Sequence, residues 1–275
     1  HRRWSGMTWR TIARQDSETT LQSRSVKYLL GLLGFGILLA AYLYPVTAPD
    51  PITTARFTGY VTGWLTTLVP LVGVLLGYNA VVSERESGAL LLSLSLPYSR
   101  ADVLLGKLAS RTGLVAATML SALVGGGALV VYPFGELELV RSLSFVGLAL
   151  LYGALWTGLA VAVSLSVATK RRALVLSVGA LVLFVFFWGT LRGLLEVGLV
   201  AAGVVEEGLR DAVQFLFNLS PNRAFVLLTD GFIDPGASVG GPWFLGEWAA
   251  LAVFLVWLVG PLGFAWLRFA GRDLS

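Results

Sequence analysis

FTGYVTGWLTTLVPLVGVLLGYNAVV, residues Phe57 to Val82, runs for 26 residues without one charged side chain. As an α-helix this stretch would reach about 39 Å, at roughly 1.5 Å per residue, against a bilayer hydrocarbon core of about 30 Å. Uncharged length of this kind predicts a membrane-spanning helix.

Five further runs pass the same test: roughly Val26 to Tyr44, Thr112 to Tyr132, Leu143 to Ala168, Ala173 to Leu191, and Trp248 to Leu267. Composition agrees. The chain is 56% hydrophobic and 13% charged, with a mean hydropathy of +0.78, where soluble domains sit near 45–50% and 25%. A water-soluble core built from 275 residues cannot hide that much apolar surface. The expectation is an all-α integral membrane protein, a six-helix bundle forming one transmembrane domain over residues 1–275.

Charge placement predicts how the bundle sits. With both termini cytoplasmic, fifteen Lys and Arg residues fall in inside segments, against five outside: Arg56, Arg141, Arg192, Arg210 and Arg223. The positive-inside rule favours this orientation, in a cell membrane. Tyr44, Trp64, Tyr132, Trp188, Trp248 and Trp266 lie near span ends, as interfacial aromatics do. The first apolar run follows about 25 mostly polar residues, so no cleavable signal is expected. The net charge of +4 is scattered between apolar runs instead of forming one patch, so nucleic acid is not an expected partner.

Outside the spans, three segments stand out: 1–25 on the cytoplasmic side, 83–111 on the same side, and 192–247 outside. In the last, Leu209, Ala212, Val213, Leu216 and Phe217 recur at helical spacing before Pro221. They predict an amphipathic helix, lying either on the membrane surface or against neighbouring spans. Within the spans, ionisable side chains are almost absent, which disfavours an ion-coupled carrier. Thr62, Thr66 and Asn79 on the second run are candidates for lining a translocation path, or for ordinary helix-to-helix hydrogen bonds. Pro70 predicts a kink there. Gly59 with Gly63, Gly73 with Gly77, and Gly189 with Gly193 have the four-residue spacing that allows close helix approach, in the bundle or between two copies.

The most informative connection is SERESGALLLSLSLPYSRADVLLGK, Ser83 to Lys107. Glu84, Arg85 and Glu86 open it, Gly88 follows, and Leu90, Leu91, Leu92, Leu94 and Leu96 supply an apolar surface that stops at Pro97. The pattern predicts an amphipathic helix on the cytoplasmic face. Ser99 with Asp102 then matches a capping box for a second helix running through Lys107 into the third span.

These residues resemble the permease subunits of ABC-2 type transporters. That family's recurring segment is an acid-Arg-Glu-x-Gly signature with leucines, a Pro-x-Ser-Arg turn and a Leu-Gly-Lys helix; Glu84, Arg85, Glu86, Gly88, Leu92, Pro97, Ser99, Arg100, Leu105, Gly106 and Lys107 match it, while Ala89 stands where threonine is common. Ile12 to Leu30 is similar to the family's interfacial helix, and LSPNRAFVLL, Leu219 to Leu228, to its Pro-containing outer segment. Within the family the chain looks closest to permeases grouped with multi-copper enzyme maturation. The resemblance implies an exporter subunit that pairs with a second permease, as a homodimer in the membrane lipid, and with a cytoplasmic ATPase that binds ATP and Mg. It implies that the helix from Glu84 to Leu96 is a coupling helix, with Glu84, Glu86 and Arg100 as charged contacts to the ATPase.

Other chemistries fit the sequence poorly. Gly106-Lys107 lacks the upstream glycine and following Ser or Thr of a phosphate-cradling loop, so ATP hydrolysis by this chain is not expected. Gly236 to Gly240 matches G-x-S-x-G but follows Asp234-Pro235 in place of a strand, and the single histidine, His1, is expected across the membrane from it. One His, no Cys, and Met7 far from Met119 supply a poor ligand set for a metal, so no cofactor is expected. The alternatives are a membrane-embedded assembly factor or enzyme without transport activity, which would need polar groups clustered at one depth, and an ion-coupled carrier. An ATPase partner would separate the exporter from both.

Overall fold

The computed structural model describes residues 9–48, 52–88, 99–135, 138–205 and 209–270. Its described residues form α1 (Trp9–Gln22), α2 (Arg24–Thr47), α3 (Phe57–Gly77), α4 (Val82–Glu86), α5 (Arg100–Phe134), α6 (Leu139–Ser166) and α7 (Lys170–Leu181). A π-helical segment (Val182–Phe187) then joins α7 to α8 (Trp188–Ala201), and α9 (Asp211–Asn218), α10 (Pro221–Phe232) and α11 (Glu247–Ala270) follow. No strand occurs among the described residues. Six helical stretches are long and apolar enough to cross a membrane, at the six predicted places. The chain is a multi-pass membrane protein, and an even number of spans returns it to the side on which it began.

Two boundaries differ from the sequence reading. The third span is longer than its apolar run from Thr112: α5, the helix expected to run from Ser99 through Lys107 into it, is unbroken for 35 residues, about 50 Å at ~1.5 Å per residue, so it projects beyond the hydrocarbon on the termini side. Ser99 Oγ accepts from Asp102 N at 3.1 Å and Asp102 Oδ2 accepts from Ser99 N at 3.1 Å, the predicted capping box. The fifth span also runs longer, from Lys170 to Ala201, so the expected outer segment beginning at Arg192 is helical for its first ten residues. The sequence reading stopped at the first charge. In the helix, Arg192 is one turn from Glu196, with their charged atoms 4.0 Å apart, and the residues between and beyond are mostly apolar. α3 continues through Pro70 without interruption.

α3 and α6 are the most enclosed spans and pack on each other at the centre. Lipid is as apolar as a leucine side chain, so helices in a bilayer gain by close fit and not by leaving water. Gly73 and Gly77 supply that fit. A Cβ at Gly77 would lie 2.7 Å from Ala160 Cβ and 2.8 Å from Thr157 O, and one at Gly73 would lie 3.0 Å from Thr157 Oγ1. Trp156, Tyr152 and Leu155 fill the adjacent core and are fully buried. The other glycine pairs behave differently: Gly63, Gly189 and Gly193 face open space, and Gly59 abuts the Asp234 carboxylate.

On the face away from the termini, hydrogen bonds fix the short helices to the spans. Trp188 Nε1 donates to Phe217 O at 2.9 Å, and Trp257 Nε1 donates to Leu219 O at 2.7 Å. Two carbonyls that the end of α9 leaves without helical partners are thus satisfied by indoles from the fifth and sixth spans. α9 is the predicted amphipathic helix, and it lies against those spans. Tyr152 stacks on Phe225 of α10 at 4.1 Å, and its hydroxyl donates to Asn222 Oδ1 at 2.6 Å; Asn222 Nδ2 donates to Thr66 O at 3.0 Å. α10 is thereby joined to both central spans. Ala237 to Gly240 has no regular structure, and Asp234 beside it is engaged by the backbone N–H of Gly236 at 2.8 Å.

Gly77→Ala is expected to destabilise the chain by about 1–3 kcal/mol, because the new methyl meets backbone and cannot be relieved by a rotamer change. Gly147→Ala, with nothing within 4 Å of the added methyl, is expected to be neutral or slightly stabilising. Thermal unfolding in one detergent checks both.

Candidate coupling junction

The predicted signature residues Glu84, Arg85 and Glu86 form the last turn of α4, at the termini end of α3. Consecutive helical residues point about 100° apart, so three adjacent charges reach three different parts of the molecule. Each finds a partner within the chain.

Glu84 Oε1 accepts from Lys107 Nζ of α5 at 2.6 Å. Lys107 also donates to Asp16 Oδ1 of α1 at 3.2 Å, and Asp16 accepts from Arg111 Nε at 3.0 Å and Arg111 Nη2 at 3.3 Å. Arg111 further donates to Leu76 O, near the end of α3, at 3.4 Å. Two acids and two bases thus form a network with no net charge across α1, α3, α4 and α5. Side-chain exposure is 5% for Lys107, 11% for Asp16, 14% for Arg111 and 32% for Glu84, so the lysine is the most enclosed member. A buried cation needs this much compensation: lone ions cost several kcal/mol to desolvate, and a fully partnered set roughly breaks even. Burial pushes the Asp16 carboxyl up, but the Lys107 and Arg111 charges outweigh it and hold the group below its ordinary 3.8.

Arg85 turns the other way. Its Nη1 donates to Val167 O at 2.8 Å and its Nη2 to Leu165 O at 3.3 Å, placing a cation on the unsatisfied carbonyls at the C-terminus of α6. Glu86 Oε1 accepts from Lys170 N at 2.7 Å, so a carboxylate caps the start of α7. The opening of α4 is held as well, since Ser164 Oγ of α6 accepts from Val81 N at 3.1 Å and Val82 N at 3.0 Å. One five-residue helix therefore ties together α5, α6 and α7, and Lys107 extends the connection to α1.

This geometry revises one expectation. A single helix from Glu84 to Leu96 does not form, because α4 ends at Glu86 and Gly88 adopts φ 74°, a left-handed conformation that glycine tolerates and other residues resist. Glu84 pairs with Lys107 at the edge of the network and keeps about a third of its side chain exposed. Leu90 to Leu96, with Leu92, and Pro97 lie outside the described residues, as does His1. Ser99 caps α5 and Arg100 is its first residue.

Asp16, Arg111 and Ser164 were missed by sequence reasoning. Asp16 sits in a polar helix among other polar residues, and nothing local separates it from a solvated acid. The spacing of Lys107 and Arg111, one helical turn apart, was the one available signal. Gly106 explains how α1 reaches the network: a Cβ there would lie 2.7 Å from Ile12 Cβ and 3.0 Å from Trp9 O, so only glycine lets α1 cross α5 this closely.

The suggested path residues are not brought together. Thr62 is buried and donates to Thr58 O of its own helix at 2.7 Å. Asn79 lies in the turn after α3, where its carbonyl accepts from Ser83 Oγ at 2.7 Å. Thr66 lines a cavity of about 280 Å³ near the opposite face, with Trp188, Arg192, Asn218, Asn222 and Arg223 among its walls. No group of three or more metal-ligating side chains occurs among the described residues.

Residues 10–274 match the sequence profile of a family described as "ABC-2 family transporter protein". The chain is similar to a protein named "Probable ABC transporter permease protein NosY" from Pseudomonas aeruginosa, 31% identical over 245 residues covering 84% of each chain. It is also similar to a protein of the same name from Stutzerimonas stutzeri, 29% identical over 254 residues covering 83% of this chain and 84% of the relative.

Lys107→Ala is expected to cost about 3 kcal/mol or more, since it strands Asp16 and Glu84; Glu84→Gln, at the exposed edge, is expected to cost about 1 kcal/mol. Unfolding midpoints of purified variants rank them. Because the folded Asp16 carboxyl lies below 3.8, its contribution is complete above the ordinary carboxylate value and disappears as pH falls through the lowered one. Acid sensitivity in that window should therefore be blunted in Asp16→Asn.

Proposed function

The chain belongs to the ABC-2 family of transporter proteins, as a membrane permease component, and on that premise we propose that it is one half of an exporter driven by a separate cytoplasmic ATPase. Family membership implies association with an ATPase subunit. ATP and Mg bind to that subunit, and this chain supplies the moving membrane part.

The observation that carries the reading is the convergence of bonds on α4. Force applied to the segment that follows Gly88 enters a helix bonded at its start to Ser164, along its length to Lys107, and at its end to both the C-terminus of α6 and the N-terminus of α7. A rigid element bonded to three helices, α5, α6 and α7, moves them together, as shear between packed helices requires. ATPase closure against residues 87–100 is therefore transmitted inward by Glu84, Arg85 and Glu86. On this reading the termini face is the cytoplasmic one, and the fifteen-to-five distribution of basic residues supports it.

A second copy of the chain completes the pore. The fifth span is the least enclosed of the six, with 11% of its apolar window buried by its own chain against 61% for the second. It exposes Leu183, Phe186, Leu194 and Val197, and Gly189 and Gly193 leave open room on it. Lipid surrounds the remainder. The competing class, an embedded factor without transport, predicts no dependence on nucleotide.

Two measurements test these points. With the ATPase coexpressed and the complex reconstituted in liposomes, Glu86→Ala should leave ATPase copurification intact and lower hydrolysis stimulation about fivefold, the equivalent of one lost helix-capping bond of roughly 1 kcal/mol. Stimulation at the native level would overturn the transmission role. The chain contains no cysteine, so Leu194→Cys should give oxidised dimers in membranes while Leu255→Cys, on α11, should not; the reverse pattern would remove the fifth span from the interface.

A further inference from the structure

Two cations line the cavity with Thr66, near the face away from the termini. Arg192 comes from the fifth span and Arg223 from α10. The Nε atoms of both, and Asn218 Oδ1 beside them, are buried without a hydrogen-bond partner. Among the described residues no carboxylate lies within 4.0 Å of Arg223, and Glu196 reaches Arg192 only at that limit. Burial pushes the Arg223 guanidinium below its ordinary value, Asp230 opposes that shift and the charge of Arg192 adds to it. Both guanidinium groups are partly exposed at the cavity, Arg192 with 40% of its side chain accessible, but each keeps a buried Nε donor unused, which an anion entering the cavity would satisfy.

The surroundings say what kind of anion. Phe184, Val185, Trp188 and Phe217 supply apolar walls, beside the polar Ser220 and Asn222. Phe184, Trp188 and Phe217 also border a second cavity of about 660 Å³, whose other walls include Leu191, Leu195, Leu216 and Trp257. Trp188 and Phe217 stand edge to face at 5.5 Å between the two, with the indole N–H fixed to Phe217 O. A charged chamber thus adjoins a larger, almost wholly apolar one, at a scale suited to a ligand of drug or lipid size.

We propose that Arg192 and Arg223 bind the phosphate head of an anionic amphiphile, a phospholipid of the leaflet away from the termini, with its apolar chain in the adjoining cavity. Guanidinium groups hold phosphate by paired, charge-assisted N–H···O bonds. Asn218 Oδ1 accepts from a hydroxyl of the head, which distinguishes a polyol head from a quaternary ammonium. The inference deepens the transport reading by naming the class of molecule the bundle accommodates, and rests on that reading only for whether the bound molecule is moved.

The test needs no ATPase, so its failure leaves the transport reading standing. The full chain is extracted from nanodiscs of mixed phosphatidylglycerol and phosphatidylcholine with the same acyl chains, and retained lipid is read by native mass spectrometry. The native chain should retain phosphatidylglycerol preferentially. Arg192→Gln and Arg223→Gln should each lower its retention about tenfold or more, the usual consequence of losing a charge-assisted bond, while Arg223→Lys keeps part of it. Arg141→Gln, outside both cavities, should have no effect. Asn218→Ala, which leaves both charges, should reduce the preference over phosphatidylcholine. Equal retention of the two lipids by the native chain, or unchanged retention in properly folded Arg192→Gln, would overturn the proposal. Displacement of phosphatidylglycerol by an equal concentration of inorganic phosphate would overturn the amphiphile and leave a free-anion site.

Discussion

Lys107 is the residue on which the termini face depends. Its ammonium is almost wholly enclosed and sits between Asp16 and Glu84, two carboxylates from helices on either side of α5. A surface pair would add little, because water competes for each ion. Enclosed, the same charges must be matched one for one, and the matching dictates that α1, α4 and α5 stay in register. Such a network is poor as a source of stability and good as a specifier of geometry, since any arrangement that separates its members leaves an ion stranded.

The membrane interior is organised by another rule. Between the central spans there is almost no charge to match, and the helices meet through glycine and small residues: Gly73 and Gly77 against Thr157 and Ala160. Close backbone approach maximises dispersion contacts where no hydrophobic gain is available. The contrast has a mechanical side. Polar bonds at the termini face attach α4 to α5, α6 and α7, while the central contact is made of small, uncharged groups, an arrangement that suits the proposed transmission of motion.

The face away from the termini combines both rules. Indole N–H groups of Trp188 and Trp257 hold carbonyls at the end of α9, and Asn222 links α10 to Tyr152 and Thr66. Among these satisfied groups, Arg192 and Arg223 are the conspicuous exceptions, with unused donors facing a cavity. Most buried polar atoms in folded proteins are paired, and it is the gathering of three unpaired ones, on Arg192, Arg223 and Asn218, around one cavity that supports the proposed anion site.

The number, location and helical character of the six spans were legible in the sequence because bilayer thickness imposes a length and the absence of charge marks it. The capping box at Ser99 and Asp102 was legible because it is local, involving residues three apart. The glycine spacing was legible, but only the fold separates Gly73 and Gly77, which touch α6, from Gly189 and Gly193, which face open space. The direction of Glu84, Arg85 and Glu86 belongs wholly to the tertiary structure. In sequence they read as a charged surface turn; their partners lie in α5, α6 and α7, 23 residues away for Glu84 and 80 or more for the others. The extent of the fifth span and the meeting of Arg192 with Arg223 share that origin, because a charge tolerated within a span is tolerated only for what the folded chain places beside it. Sequence alone determined where the helices are, through the fixed thickness of the solvent they cross; which charges meet was decided by packing, since the partner of a buried ion is set by proximity in space and leaves no periodic mark along the chain.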